Sequence, residues 1–134
     1  MLRKNPSMNA ILDQIREVVI QIATPYSTGT GFYLKEAGVV VTNNHIVHDN
    51  REAVVQGEKL PRQLSRVVYA DPKFDLAFLE VSGTEGLPAL DIFGAGALHE
   101  GETVVSIGHP FGLQFSVTQG VISSTNREVE GVRY

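Results

Sequence analysis

Between Val18 and Val81 one short apolar run follows another, with no helical periodicity among them. The runs are Val18–Ala23, Thr28–Leu34, Val39–Val41, Ala53–Gln56, Ser65–Ala70 and Leu76–Val81. Most are rich in β-branched residues, which suit a pleated, half-buried surface. Between them stand Thr24-Pro25, Gly38, Asn43-Asn44, Asp49-Asn50, Gly57 with Pro61, and Asp71-Pro72, the residues that make turns. Six short strands at such close spacing predict a small antiparallel barrel or sandwich, so the fold class is all-β.

The flanks read differently. Met8, Ile11, Leu12 and Ile15 recur at helical spacing behind Pro6-Ser7, which predicts a short amphipathic helix with Ser7 as its N-cap. Its apolar stripe serves either as a barrel plug or as a contact with a second copy. Ser82 to Gly101 carries Gly83, Gly86, Pro88, Gly94 and Gly96 and reads as a connector. β patterning resumes at Thr103–Gly108 and at Ser116–Ser124, either side of the turn His109-Pro110-Phe111-Gly112, and a polar tail runs to Tyr134. The expected organisation is a helix over 1–17, a first barrel over 18–82, a connector over 83–101 and the opening strands of a second, incomplete barrel over 102–134.

Composition removes several function classes. A formal net charge of −4 and the lack of a basic cluster argue against a nucleic-acid surface. The chain has no cysteine, which excludes disulfides, thiolate metal sites and a cysteine nucleophile. The basic start Met1–Ser7 leads into no apolar core of a secretory leader, and no run approaches the ~20 apolar residues of a membrane helix. The expectation is a cytoplasmic protein without a membrane partner, or a periplasmic one if the first residue is a processed start.

Two residues stand out chemically. His45 follows the apolar run Val39–Val41 and the strand-breaking pair Asn43-Asn44, which places an imidazole on a rigid strand's exit, where a general base is well held. Asp75 stands at the entry to the run Leu76–Val81. A carboxylate that accepts the imidazole Nδ1–H fixes the tautomer and stabilises the imidazolium. Structural alternatives stand beside these readings: His45 as a capping or half-buried residue, and Asp75 as a turn aspartate with Asp71 as its rival.

The wording around these residues tips the balance. Gly29-Thr30-Gly31-Phe32 with Val41-Thr42-Asn43-Asn44-His45-Ile46-Val47 resembles the segment carrying the base histidine in trypsin-like serine proteases of the HtrA/Deg (DegP-like) family. Asp75-Leu76-Ala77-Phe78-Leu79 is similar to their aspartate-bearing strand. Gly101–Gly112 with Ser116–Ser123 resembles the opening of their second barrel, with His109 where the family more often has Asn or Tyr, which leaves His109 a turn role. The resemblance runs from Val18 to Tyr134 in order and spacing.

It implies a trypsin-like antiparallel β-barrel, complete in its first copy and begun in its second, behind a short N-terminal α-helix. It further implies peptide-bond hydrolysis of polypeptides by a His-Asp-Ser triad, with His45 as base, Asp75 as its partner and no metal or organic cofactor. Family members form trimers through their amino-terminal region, which would set the Met8–Ile15 stripe against a neighbour. The 134 residues contain no Gly-Asn-Ser-Gly-Gly or Gly-Asp-Ser-Gly-Gly, and Ser82, Ser106, Ser116, Ser123 and Ser124 stand in strand or connector contexts. A triad without its serine loses about as much rate as one without all three members, ~10⁶-fold, so this stretch alone is expected to be inactive. The competing reading is a non-catalytic half-domain, a binding or assembly module that pairs through the open edges of its unfinished strands.

Overall fold

The computed structural model describes residues 8–90, 97–108, 116–123, 128–129 and 132–133. Helix α1 runs over Met8–Arg16 and carries the apolar spacing of Ile11, Leu12 and Ile15. The Ser7 cap expected from the sequence lies outside the described residues. Six strands follow: β1 Val19–Ala23, β2 Thr28–Leu34, β3 Val39–Thr42, β4 Glu52–Gln56, β5 Gln63–Asp71 and β6 Leu76–Glu80. Between β3 and β4 the chain makes one helical turn, α2, over Asn44–Val47. The sequence reading had only a turn there.

The six strands close into an antiparallel barrel in the order β1-β2-β3-β6-β5-β4, with β4 pairing back onto β1. The closing seam sets Gln21, Ile22 and Ala23 against Gln56, Val55 and Val54. Closure gives every strand of the barrel a hydrogen-bonded neighbour on both sides. A register shift between Val67 and Tyr69 bends β5 as it runs beside β6.

Alternation along the strands fills the interior. Val18, just before β1, joins Ile20 and Ile22 of β1, Tyr33 of β2, Val40 of β3, Ala53 and Val55 of β4, and Ala77 and Leu79 of β6 in the core. Leu60 and Leu87, each 1% exposed, close on the same core from loops. Each large aliphatic group fully removed from water stabilises the barrel by roughly 1.5–3 kcal/mol. Ser65 is buried with them, and its hydroxyl has no hydrogen-bond partner among the described residues. At the rim, Lys59 pairs with Glu17 and ties the β4–β5 loop to the turn behind α1.

A second sheet stands apart. Strands β7 Thr103–Gly108 and β8 Ser116–Val121 form an antiparallel hairpin, extended by Gly101 N–H to Ile122 C=O at 2.7 Å and Ile122 N–H to Glu102 C=O at 2.9 Å. Val104 and Val121 on it are exposed. The polar tail, which the sequence reading left without structure, contains two short paired strands, β9 Glu128–Val129 and β10 Val132–Arg133. His109 and Ser124 lie outside the described residues.

One glycine is needed for close approach. A Cβ on Gly31 would meet the Val41 carbonyl oxygen at 2.6 Å and the Ile22 side chain at 2.8 Å. Neither the β3 backbone nor a buried isoleucine can move aside cheaply. Gly31→Ala is therefore expected to destabilise the barrel by about 1–3 kcal/mol, read as a lower urea midpoint with an unchanged denaturant slope; a variant as stable as the parent would contradict the packing described.

Candidate active site

The pairing of β3 with β6 dictates what meets at its end. Val39 to Thr42 lie opposite Glu80 to Ala77 in antiparallel register. Continuing that register past Thr42 and back past Ala77 brings residues 43–45 beside residue 75. The histidine at the exit of one strand and the aspartate at the entry of the other are thus neighbours because the strands are antiparallel and in this register.

His45 Nδ1 lies 2.6 Å from Asp75 Oδ2, and the backbone N–H of His45 donates to Asp75 Oδ1 at 2.8 Å. One carboxylate therefore holds both the ring and the main chain of the same residue. Across the same gap the Asn43 carboxamide Nδ2 donates to the Asp75 backbone carbonyl at 3.1 Å. Asp75 itself has φ 55°, in the left-handed region. For a non-glycine residue this costs on the order of 1–3 kcal/mol, less for Asp than for most.

Beneath the couple, α2 is seated by packing. Val47 is buried and Ile46 packs against the barrel core. A Cβ on Gly29 would stand 2.8 Å from the Ile46 side chain, so the glycine in β2 makes the space that lets α2 lie down on the barrel. Thr42 Oγ1 donates to the Thr30 carbonyl at 3.0 Å and pins the end of β3 to β2.

Asp71, the rival carboxylate, is occupied elsewhere. Its Oδ1 accepts the backbone N–H groups of Lys73 at 2.9 Å and Phe74 at 3.2 Å, and its Oδ2 accepts the Tyr69 hydroxyl at 3.2 Å. It is the turn aspartate, and Asp75 is the residue brought to His45. Of the candidate serines, Ser82 is bound to Gln63 through its hydroxyl and its amide, and Ser106 lies within β7. Among the described residues none bonds the Nε2 side of the His45 ring. The other described histidines, His48 and His99, make local surface contacts, with Asp49 and Glu102 respectively.

The electrostatics follow from this geometry. Partial removal from water pushes the Asp75 pKa up, but the ring hydrogen bond of His45, its backbone amide, its positive charge when protonated and the Asn44 amide together bring it below the usual carboxylate range. An ionised Asp75 accepting at 2.6 Å keeps the proton of a neutral His45 on Nδ1 and leaves Nε2 as a free acceptor. The His45 side chain is 64% exposed and that of Asp75 40%, so as an ion pair they would add only about 0–1 kcal/mol to stability. The contact therefore orients the ring more than it stabilises the fold.

Beside the couple the outer face of the barrel is apolar. Val19, Phe32, Val41, Ile46, Leu76 and Leu90 line an open groove, to which Ile107 of the hairpin also contributes. Of the residues at this site the sequence reading picked out His45 and Asp75. It took Asn43 and Asn44 for strand breakers, and no local pattern betrays that the Asn43 side chain reaches across to the next strand.

Because the Asp75 carboxyl has a lower pKa folded than unfolded, the unfolded chain binds more protons between the two values. Stability from this group is then complete above the unfolded pKa of about 3.9 and is lost as pH falls through the folded value. Wild type is expected to exceed Asp75→Asn in stability near neutral pH, and the gap is expected to shrink as the solution is acidified below about pH 4. A gap independent of pH in chemical denaturation would contradict this assignment.

Residues 29–134 match the model of the trypsin-like peptidase domain family. A probable periplasmic serine endoprotease, DegP-like, of Ectopseudomonas mendocina is 38% identical over 108 residues, which are 81% of this chain and 23% of that protein. One of the same description from Chlamydia trachomatis is 41% identical over 99 residues, 74% of this chain and 20% of the relative. The crystal structure of the serine endoprotease from Yersinia pestis superimposes with a TM-score of 0.78 at 28% identity, covering 92% of this chain and 46% of that one. The chain thus spans under a quarter of the length of these two curated relatives. Both are named periplasmic, which leaves the cytoplasmic expectation without support. With the closed barrel, the short N-terminal helix and these likenesses together, the chain belongs to the trypsin-like peptidase domain family, as a DegP-like (HtrA/Deg) member.

Proposed function

We propose that these residues are the base-carrying part of a periplasmic serine endopeptidase that cleaves polypeptides by acyl transfer. The observation that carries this reading is the 2.6 Å contact between His45 Nδ1 and Asp75 Oδ2 at the end of a trypsin-like barrel. In the reaction His45 Nε2 takes the proton of an attacking serine hydroxyl and returns it to the leaving amine. Asp75 holds the ring and stabilises its charged form without itself becoming protonated.

The nucleophile and the oxyanion donors are assigned to residues outside this 134-residue stretch. The hairpin β7–β8 is the start of a second barrel over residues 102–134, with 83–101 as the connector, and the rest of that barrel covers the groove beside Leu76 and Ile46. Two observations support the placement: Ile107 already lines that groove, and Val104 and Val121 are exposed on the hairpin. Covering the groove would also shield the half-exposed couple from water, which strengthens its electrostatics.

Removing the serine from a triad costs ~10⁶-fold in rate, and losing oxyanion donors costs ~10²–10³-fold. The 134-residue chain is accordingly expected to remain unlabelled by a fluorophosphonate probe, and stoichiometric labelling would refute the assignment of the nucleophile elsewhere. In the protein carrying the complete domain, Asp75→Asn is expected to lower kcat by about 10⁴-fold. Full activity in that variant would remove Asp75 from the mechanism.

A further inference from the structure

The geometry points to Asn43 as a positioning residue for the His45–Asp75 couple, an inference that rests on the proposed role of that couple in proton transfer. Asn43 occupies the N-cap position of α2, with φ −85° and ψ 142°, where an asparagine side chain ordinarily accepts an N–H of the helix's first turn. It makes no such bond. The first-turn N–H of His45 is taken instead by Asp75 Oδ1, reaching over from the start of β6. The carboxamide left free by that exchange donates to the Asp75 carbonyl at 3.1 Å. Asp75 caps the helix of Asn43, and Asn43 holds the peptide of Asp75.

The second bond matters because of where the Asp75 backbone lies. At φ 55° the residue is in a sparsely populated region, one that persists when its surroundings hold it there. Among the described residues Asn43 is the one hydrogen-bond donor to that carbonyl. On the other side the β3–β6 ladder takes over only from Ala77. With the carbonyl pinned and φ held, the direction of the Asp75 Cα–Cβ bond is fixed, and the carboxylate is aimed at the ring by side-chain rotation alone. Without the pin, the backbone can relax toward a commoner conformation and swing the carboxylate away from Nδ1.

The test is nuclear magnetic resonance of the 134-residue chain at about pH 8, where an ordinary imidazole is neutral. Wild type is expected to show neutral His45 as the Nδ1–H tautomer, with a ring proton protected from exchange. In Asn43→Ala that proton is expected to exchange about tenfold faster, the effect of losing one hydrogen bond, with the Nε2–H tautomer appearing. The amide spectrum of the barrel stays as in wild type. Asn43→Asp keeps the shape but, ionised, cannot donate, so it is expected to behave like Asn43→Ala. It also decides the matter if the alanine variant does not fold.

A wild-type tautomer and exchange rate in Asn43→Asp would overturn the positioning role and leave the couple standing. An Nε2–H tautomer in the wild-type chain would overturn the couple itself, and the role of Asn43 with it. The two failures are therefore separable.

Discussion

A single carboxylate determines the local structure at the end of β3. Asp75 accepts one hydrogen bond from the His45 ring and another from the His45 main chain, and the barrel brings it there by strand register. Each bond alone leaves a freedom. A ring bond without the amide bond would let α2 slide, and an amide bond without the ring bond would let the imidazole rotate. Together they fix the position of the ring and its tautomer. Net stability from an open contact of this kind is small, so its worth lies in orientation.

The rest of the barrel is arranged to make that meeting reproducible. Gly31 allows β2 and β3 to approach, Gly29 clears the space for Ile46, and Val47 anchors the far end of α2 in the core. Thr42 fastens the last residue of β3 to its neighbour. None of these groups is chemical in the catalytic sense. They convert a close-packed interior, which tolerates little displacement, into tight control over a ring on the surface.

How much of this is legible in the residues depends on the length scale involved. The strands are, because Val39–Val41 or Leu76–Leu79 signal burial locally through branched and apolar side chains. So are His45 and Asp75 as candidates, since each stands at a strand end. The one-turn helix α2 is not: four residues are too few for a 3.6-residue period, and its capping group comes from thirty positions away, as the His45–Asp75 bond shows. From position alone Asp75 and Asp71 stay rivals, because both sit in the same turn; the resemblance favoured Asp75, and the β3–β6 register supplies the geometric reason. The cell compartment was illegible for another reason: a lack of cysteine does not discriminate between a reducing and an oxidising space.

Strand β1 is bonded on both sides, to β2 and to β4, and its Ile20 and Ile22 lie wholly within the interior. Amides there can meet solvent only when the whole cylinder comes apart, so their protection against deuterium uptake reports the global unfolding free energy. The turn bearing His45 belongs to a shallower tier, since it is a four-residue helix on the surface with a half-exposed side chain beside it. The molecule therefore couples a rigid frame to a surface turn held by the His45–Asp75 contact, two layers that open at different free energies.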